Sequence, residues 1–241
     1  MNNDIKSIFE EGQILLFDKP MYWTSFDLVN KVRIIIRSTL GIKKIKVGHA
    51  GTLDPLASGL MIICTGKATR KIDEFRDLDK EYVATIHLGA TTPSFDLETQ
   101  TDGTYPTEHI DEKLVRKVLA DFTGGQKQVP PMHSAKFIAG KRAYEYARQG
   151  IVKELEPVTV FFRETELLSF GMPETKVRLL VSKGTYVRAF ARDFGIALNS
   201  GAYLSSLERT SIGNLNVKDA LKIENFQEKV LLLKQNENSS V

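Results

Sequence analysis

A chain of 241 residues, 42% hydrophobic and 26% charged, can bury a sizeable core, yet it holds no apolar run near the ~20 residues that cross a bilayer. Met1-Asn2-Asn3-Asp4 lacks the apolar core of a signal peptide, one cysteine excludes an internal disulfide, and four scattered histidines give no zinc spacing, so a cytoplasmic protein without metal or cofactor is expected. The net charge of +3 is too small to imply nucleic acid by itself, but it is unevenly spread. Residues 31–46 hold six basic side chains and no acid, residues 176–192 hold five and no acid, and residues 127–148 are basic apart from Glu145. Residues 93–112 carry six acids and no Lys or Arg.

Gln13 to Phe17 reads as a buried strand ended by Asp18-Lys19-Pro20. Thr24 with Asp27 three residues on forms a capping box that opens a helix, with Leu28, Val32, Ile35 and Ile36 on one face and Lys31, Arg33 and Arg37 on the other. Gly48 to Leu60 is a glycine-rich loop leading into a second apolar strand that ends at Cys64. Asp54 stands in that loop between apolar Leu53 and rigid Pro55, with no base beside it. Residues 67–78 predict a helix with Ile72 and Phe75 inward. Residues 81–88 predict a strand with Tyr82, Ala84, Ile86 and Leu88 on one side. Residues 91–106 are polar and acidic and read as a surface loop.

A helix follows over residues 110–122, carrying Leu114, Val118 and Phe122 and stopped by Gly124-Gly125. Lys136, Lys141, Arg142 and Arg148 interleave with Tyr144 and Tyr146, a pattern that suits phosphate contact plus stacking and suits a solvated amphipathic helix equally well. Strands are expected over residues 161–170 and 176–182. Lys183-Gly184-Thr185-Tyr186-Val187-Arg188 then opens a helix whose Val187, Phe190, Ala191, Phe194 and Leu198 make a buried stripe. Arg188 leaves that stripe at the helix N-terminus, where the dipole opposes a cation that has no anion to bind. A helix over residues 224–234 and a disordered tail over residues 235–241 complete the chain. Strands and helices interleave without a regular βαβ beat, which predicts an α+β fold with a mixed, mainly antiparallel sheet and flanking helices.

Gly48-His49-x-Gly51-Thr52-Leu53-Asp54-Pro55-x-Ala57-x-Gly59 resembles the catalytic motif of the tRNA pseudouridine synthase B family, enzymes that isomerise uridine 55 in the TΨC arm of tRNA. Gly184-Thr185-Tyr186-x-Arg188 and residues 129–150 extend the likeness, which runs from Gly12 to about Gly213. The chain departs from the family pattern at three places: Tyr22 stands where glycine is usual in Lys-Pro-x-Gly-x-Thr-Ser, His133 where tyrosine is usual, and Thr92-Pro93-Ser94 where Thr-Asp-Thr is usual, so that only Asp96 keeps a minor role in that segment. The resemblance implies the pseudouridine synthase fold over residues 1–213, with an insertion at about 105–150 that contacts the tRNA elbow. It leaves residues 214–241 as a short helix and tail, too few for the separate C-terminal RNA-binding domain that members often append.

The same resemblance makes Asp54 the catalytic carboxylate, which either attacks C1′ or removes the C2′ proton, with Arg188 paired to it. Tyr82 and Leu207 would sandwich the base, Tyr82 helping to remove the C5 proton, while Tyr186 supports the carboxylate and His49 fills the space of the flipped base. Lys19, Lys136, Lys141, Arg142 and Arg148 would contact the tRNA. No cofactor and no obligatory protein partner are expected, and the protein should be a monomer. Two rivals remain: a non-catalytic tRNA-binding or folding module, which needs no acid paired with an arginine, and a synthase acting on another RNA. Glycoside hydrolysis would call for two carboxylates flanking the bond, and only one candidate is found.

Overall fold

The computed structural model describes residues 5–239 apart from Ala135, Ala139, Val152 and Glu154. The chain runs through α1 (Ile5–Glu11), β1 (Ile14–Lys19), α2 (Ser25–Leu40), β2 (Val47–His49) and β3 (Ala57–Thr65). A 3-10 turn (Gly66–Lys71) passes into α3 (Ile72–Asp77), and β4 (Lys80–Leu88) follows. Two short strands, β5 (Ala90–Thr91) and β6 (Gly103–Thr104), precede α4 (Glu112–Asp121) and β7 (Gly124–Gln128). Next come β8 (Phe137–Ile138), β9 (Lys141–Arg142) and α5 (Ala143–Ala147). The chain closes with β10 (Val158–Ser169), β11 (Glu174–Val181), α6 (Val187–Ala197), β12 (Ala202–Ile212), β13 (Leu215–Asn216) and α7 (Ile223–Ser239). This is the α+β class expected, with antiparallel ladders and helices beside them.

The described residues up to 80 and from 208 onward make one compact unit, and residues 81–207 make another. In the first, β3 lies between β1 and β12 in the sheet, so both of its backbone edges are paired. Its continuous apolar run is that of a strand covered on both faces: Leu60, Met61, Ile62, Ile63 and Cys64 are all fully buried. Register with β1 runs from Ile14↔Cys64 to Lys19↔Gly59, and β2 pairs with the same strand from Val47↔Thr65 to His49↔Ile63. Both edges thus lead the chain to the loop between β2 and β3. The capping box at Thr24 and Asp27 forms as expected, and Leu28, Val32, Ile35 and Ile36 are the buried face of α2. Phe226 of α7 meets Phe9 and Phe17 edge to face, with centroids 6.3 and 5.2 Å away.

In the second unit the sheet order is β12-β4-β11-β10-β7. Burial alternates at every residue of β4, which places Tyr82, Ala84, Ile86 and Leu88 on the inner face as their spacing predicts. The stripe of α6 is also as expected: Phe190 and Phe194 join Phe122 and Phe162 in an aromatic cluster with centroids 4.9 to 6.2 Å apart.

Four expectations change. Residues 91–106 are not simply a surface loop, because Thr92, Ser94 and Asp96 are buried. Their polarity is absorbed locally: the Thr92 and Ser94 hydroxyls donate to the Asp96 carbonyl at 2.7 and 3.2 Å. The helix expected over residues 67–78 divides into the 3-10 turn and α3. In α4 the buried stripe is Val115, Val118 and Leu119, with Leu114 only half-buried. Finally, α7 continues to Ser239, through most of the expected tail, and Glu237 Oε1 accepts the Ile5 N–H at 3.0 Å; Ser240 and Val241 lie outside the described residues.

Gly59, opposite Lys19, has φ of 105°, and a Cβ there would lie 2.4 Å from the Arg209 carbonyl oxygen and 2.7 Å from its nitrogen. Neither backbone can yield without breaking a ladder, so Gly59→Ala is expected to cost at least about 2 kcal/mol of stability, read as a lowered melting temperature.

Candidate active site

Asp54 is half-buried in the β2–β3 loop, and main-chain contacts hold the residues on both sides of it. Ser25, the first residue of α2, is 4% exposed. Its hydroxyl accepts the Leu53 N–H at 2.8 Å and donates to the Leu53 carbonyl at 2.9 Å. The capping box fixes that hydroxyl in place: Thr24 Oγ1 accepts the Asp27 N–H and Asp27 Oδ2 accepts the Thr24 N–H, which sets the first turn of the helix. After Asp54, the Pro55 carbonyl accepts the Tyr22 N–H at 2.7 Å and the Asp54 carbonyl accepts the Ala57 N–H at 3.1 Å. Tyr22 makes its bond with φ of 69°, the left-handed conformation that a side chain adopts at about 1–2 kcal/mol. That conformation is the one glycine favours, and glycine is the residue expected at this position.

Arg209 of β12 is 1% exposed and holds the start of the loop. Its Nε donates to the Leu60 carbonyl at 2.7 Å, Nη2 to Gly51 at 3.2 Å and Nη1 to Thr52 at 3.4 Å. Lys19 is fully buried as well, and its Nζ donates to the Pro20 and Trp23 carbonyls at 2.9 and 2.7 Å. Burial is the main cause that lowers its pKa to about 8; the attraction of Asp54 opposes the fall and Arg209 adds to it. Lys19 therefore braces the turn before α2 instead of presenting its charge on a surface. His49 is half-buried, and its Nδ1 has no hydrogen-bond partner. Burial pushes its pKa down, the Gly51 backbone opposes this, and Arg209 and Arg76 add to it, so the imidazole is neutral.

The second unit carries the other candidates. Arg188 lies in the first turn of α6 and is 4% exposed. Its Nη2 donates to the His133 carbonyl at 2.8 Å and its Nη1 to the Ser94 carbonyl at 3.3 Å, and Nε lies 3.5 Å from Asp96 Oδ2. The buried acid of the loop over residues 91–106 thus faces this arginine. Tyr186 is the N-cap residue of α6, and the buried amide of Gln128 clasps its backbone: Oε1 accepts the Tyr186 N–H at 2.8 Å and Nε2 donates to its carbonyl at 3.1 Å. Tyr82 on β4 and Leu207 on β12 are both buried, at 8% and 6% exposure.

The basic runs are used in two ways. In residues 136–148 the cations lie on rings: Arg142 is 3.8 Å from the Phe137 centroid, Arg148 5.3 Å from Tyr144 and Lys141 6.0 Å from Tyr146. Lys136 donates to the Glu156 carbonyl at 3.3 Å. The run over residues 176–192 is largely spent within the fold. Arg178 pairs with Glu81, Glu164 and Glu166 at 2.7 to 2.9 Å, which raises its pKa, and Arg192 pairs with Asp193. Ser25, Gln128 and Arg209 are positioning residues to which the sequence assigned no role: Ser25 closes the Lys-Pro-x-Gly-x-Thr-Ser pattern, and the one signal at Gln128 and Arg209 is a polar side chain at a position that strand spacing turns inward.

A family model for "TruB family pseudouridylate synthase (N terminal domain)" matches residues 37–187. Among curated relatives, the tRNA pseudouridine synthase B of Phocaeicola vulgatus is 58% identical over 220 residues, 91% of this chain and 94% of that protein. Those of Parabacteroides distasonis and Chlorobium luteolum are 55% and 46% identical, over 91% and 94% of this chain and 94% and 78% of theirs. Among solved structures, a chain of a "Cbf5-Nop10-Gar1 Complex" superposes with a TM-score of 0.70 at 26% identity, covering 95% of this chain; this chain spans 57% of that one.

Ser25→Ala would leave the N–H and carbonyl of buried Leu53 without their partner, a cost of about 1–3 kcal/mol. Faster hydrogen exchange at the Leu53 amide is the expected outcome, with exchange in β10 and β11 unchanged.

Proposed function

The chain belongs to the TruB family of pseudouridylate synthases, and from that premise we propose that it isomerises uridine to pseudouridine at position 55, in the TΨC arm of tRNA. The observation that carries this reading is the Asp54 loop: an acid at its centre, with the residues before and after it tied to buried side chains and main chain.

The reaction breaks the bond from C1′ to N1, turns the uracil and joins C1′ to C5; the C5 proton leaves and N1 takes up a proton, so that the product is an isomer of the substrate. Asp54 is the group that acts on the sugar, by attack at C1′ or by removal of the C2′ proton. Fixing both flanking residues supports either route, because a carboxylate displaced by an ångström loses its alignment with the sugar. Arg188 is assigned to pair with Asp54, and its guanidinium is already set by Ser94, His133 and Asp96. Tyr82 and Leu207 take the two faces of the base, Tyr82 aiding loss of the C5 proton, and Tyr186 supports the carboxylate. Neutral His49, with an unused ring nitrogen, enters the space left by the extruded uridine. Lys141, Arg142 and Arg148, with Lys136 beside them, meet the tRNA elbow, and residues 105–150 serve as the inserted RNA-binding lobe of a catalytic domain over residues 1–213. We assign the protein to the cytoplasm as a monomer that needs no obligatory protein partner. No helix among the described residues is long and apolar enough to cross a membrane.

The direct test is an unmodified tRNA transcript labelled with tritium at uridine C5. Wild-type protein is expected to release the label. Asp54→Asn is expected to reduce release by at least about a thousandfold while binding the transcript nearly as well; substantial turnover by that variant would remove Asp54 from the chemistry. Lys19 adds a pH dependence. Its ammonium is protonated below about 8 and neutral above, so the positive charge near Asp54 is lost as pH rises through that value. Turnover is expected to fall over the same interval, and Lys19→Arg, cationic throughout, is expected to show no such fall.

A further inference from the structure

Tyr22 combines three features that no single internal role explains together. Its backbone is left-handed, with φ of 69°, in a residue that has a β-carbon. Its N–H is committed to the Pro55 carbonyl at 2.7 Å, one residue beyond Asp54. Its side chain is nevertheless 76% exposed, which makes it the most exposed of the large hydrophobic side chains among the described residues. A glycine would make the same backbone bond without strain, so the bond accounts for the conformation but not for the ring. The turn is also firmly held from inside, by Lys19 Nζ on the carbonyls of Pro20 and Trp23. An aromatic ring on so rigid a turn is presented with little conformational entropy left to lose.

We propose that Tyr22 is a substrate-contact residue, its ring stacking on an unpaired nucleobase of the RNA strand that delivers the target uridine to Asp54. The inference rests on the tRNA reading above. Extruding a uridine leaves the faces of its neighbours bare, and an aromatic ring covers such a face whatever the base. The surroundings suit a polyanion carrying apolar bases. Phe26, in the first turn of α2, is 65% exposed. Lys31 and Arg37 on the same helix and Lys43, Lys44 and Lys46 after it are exposed cations, with no acid between residues 31 and 46. No covalent step is assigned to Tyr22; it contributes to binding and to the register of the strand.

The test compares wild type, Tyr22→Phe and Tyr22→Gly in two measurements: the Kd for an unmodified tRNA transcript as a function of salt, and the rate of tritium release from uridine C5. Tyr22→Gly keeps the backbone conformation and removes the ring. It is expected to weaken binding about tenfold at every salt concentration, with an unchanged slope of log Kd against log salt, since no phosphate contact is lost. Its melting temperature should equal or exceed that of wild type, and Tyr22→Phe should bind like wild type. Equal tRNA affinity of Tyr22→Gly and wild type would overturn the inference, as would a drop in its melting temperature that accounts for the weakened binding. A changed salt slope would also overturn it, by pointing to an ionic contact. Absence of tritium release by wild type would count against the proposed reaction, and the affinity comparison would still decide the role of Tyr22.

Discussion

A buried guanidinium has to find acceptors, and Arg209 finds them on the main chain of the loop that carries Asp54. At 1% exposure it is cut off from water, and an unsatisfied charge there would cost several kcal/mol. The carbonyls of Gly51, Thr52 and Leu60 turn toward it, which fixes both the entry to the loop and the strand that leaves it. Ser25 and Tyr22 complete the restraint on either side of Asp54. One glycine follows from this arrangement. Gly59 is where a β-carbon would collide with the backbone of Arg209 itself, so the two residues constrain each other.

The second unit uses the same device around Arg188. Its guanidinium is held by two backbone carbonyls and the buried carboxylate of Asp96, and the amide of Gln128 bonds both backbone groups of Tyr186 at the start of the same helix. A cation opposed by a helix dipole is tolerated because three oxygens face it. In both units, then, side chains that do no chemistry fix the backbone that carries the candidate site residues. Precision of this kind is what a reaction governed by alignment at C1′ demands.

Charge on the surface is a poorer guide than charge in place. Of the two acid-free basic runs, residues 31–46 keep exposed lysines, whereas residues 176–192 lose Arg178 to three glutamates and Arg192 to Asp193. The ladder between β10 and β11 sets Glu164 and Glu166 beside Arg178, and Glu81 arrives from β4, 97 residues away in the chain. The arginines of residues 136–148 lie on their own aromatic neighbours, which orients planar cations for stacking or for phosphate.

Local pattern alone determined much of this protein. The capping box at Thr24 and Asp27, the two-residue alternation of β4 and the apolar stripe of α6 each show in the spacing of residues a few positions apart, and each formed as that spacing requires. The string around Asp54 and the Gly184-Thr185-Tyr186-x-Arg188 segment likewise identified the candidate residues without any coordinates. Only the tertiary structure decided what surrounds them. Ser25, Gln128 and Arg209 bond to main-chain groups, which every residue possesses, so their partners leave no mark in the sequence. The burial of Thr92, Ser94 and Asp96 was hidden for a related reason: polar residues signal exposure until the fold supplies each with a partner, and although Thr92 and Ser94 find theirs nearby on the Asp96 carbonyl, the Asp96 carboxylate meets Arg188, far away in sequence.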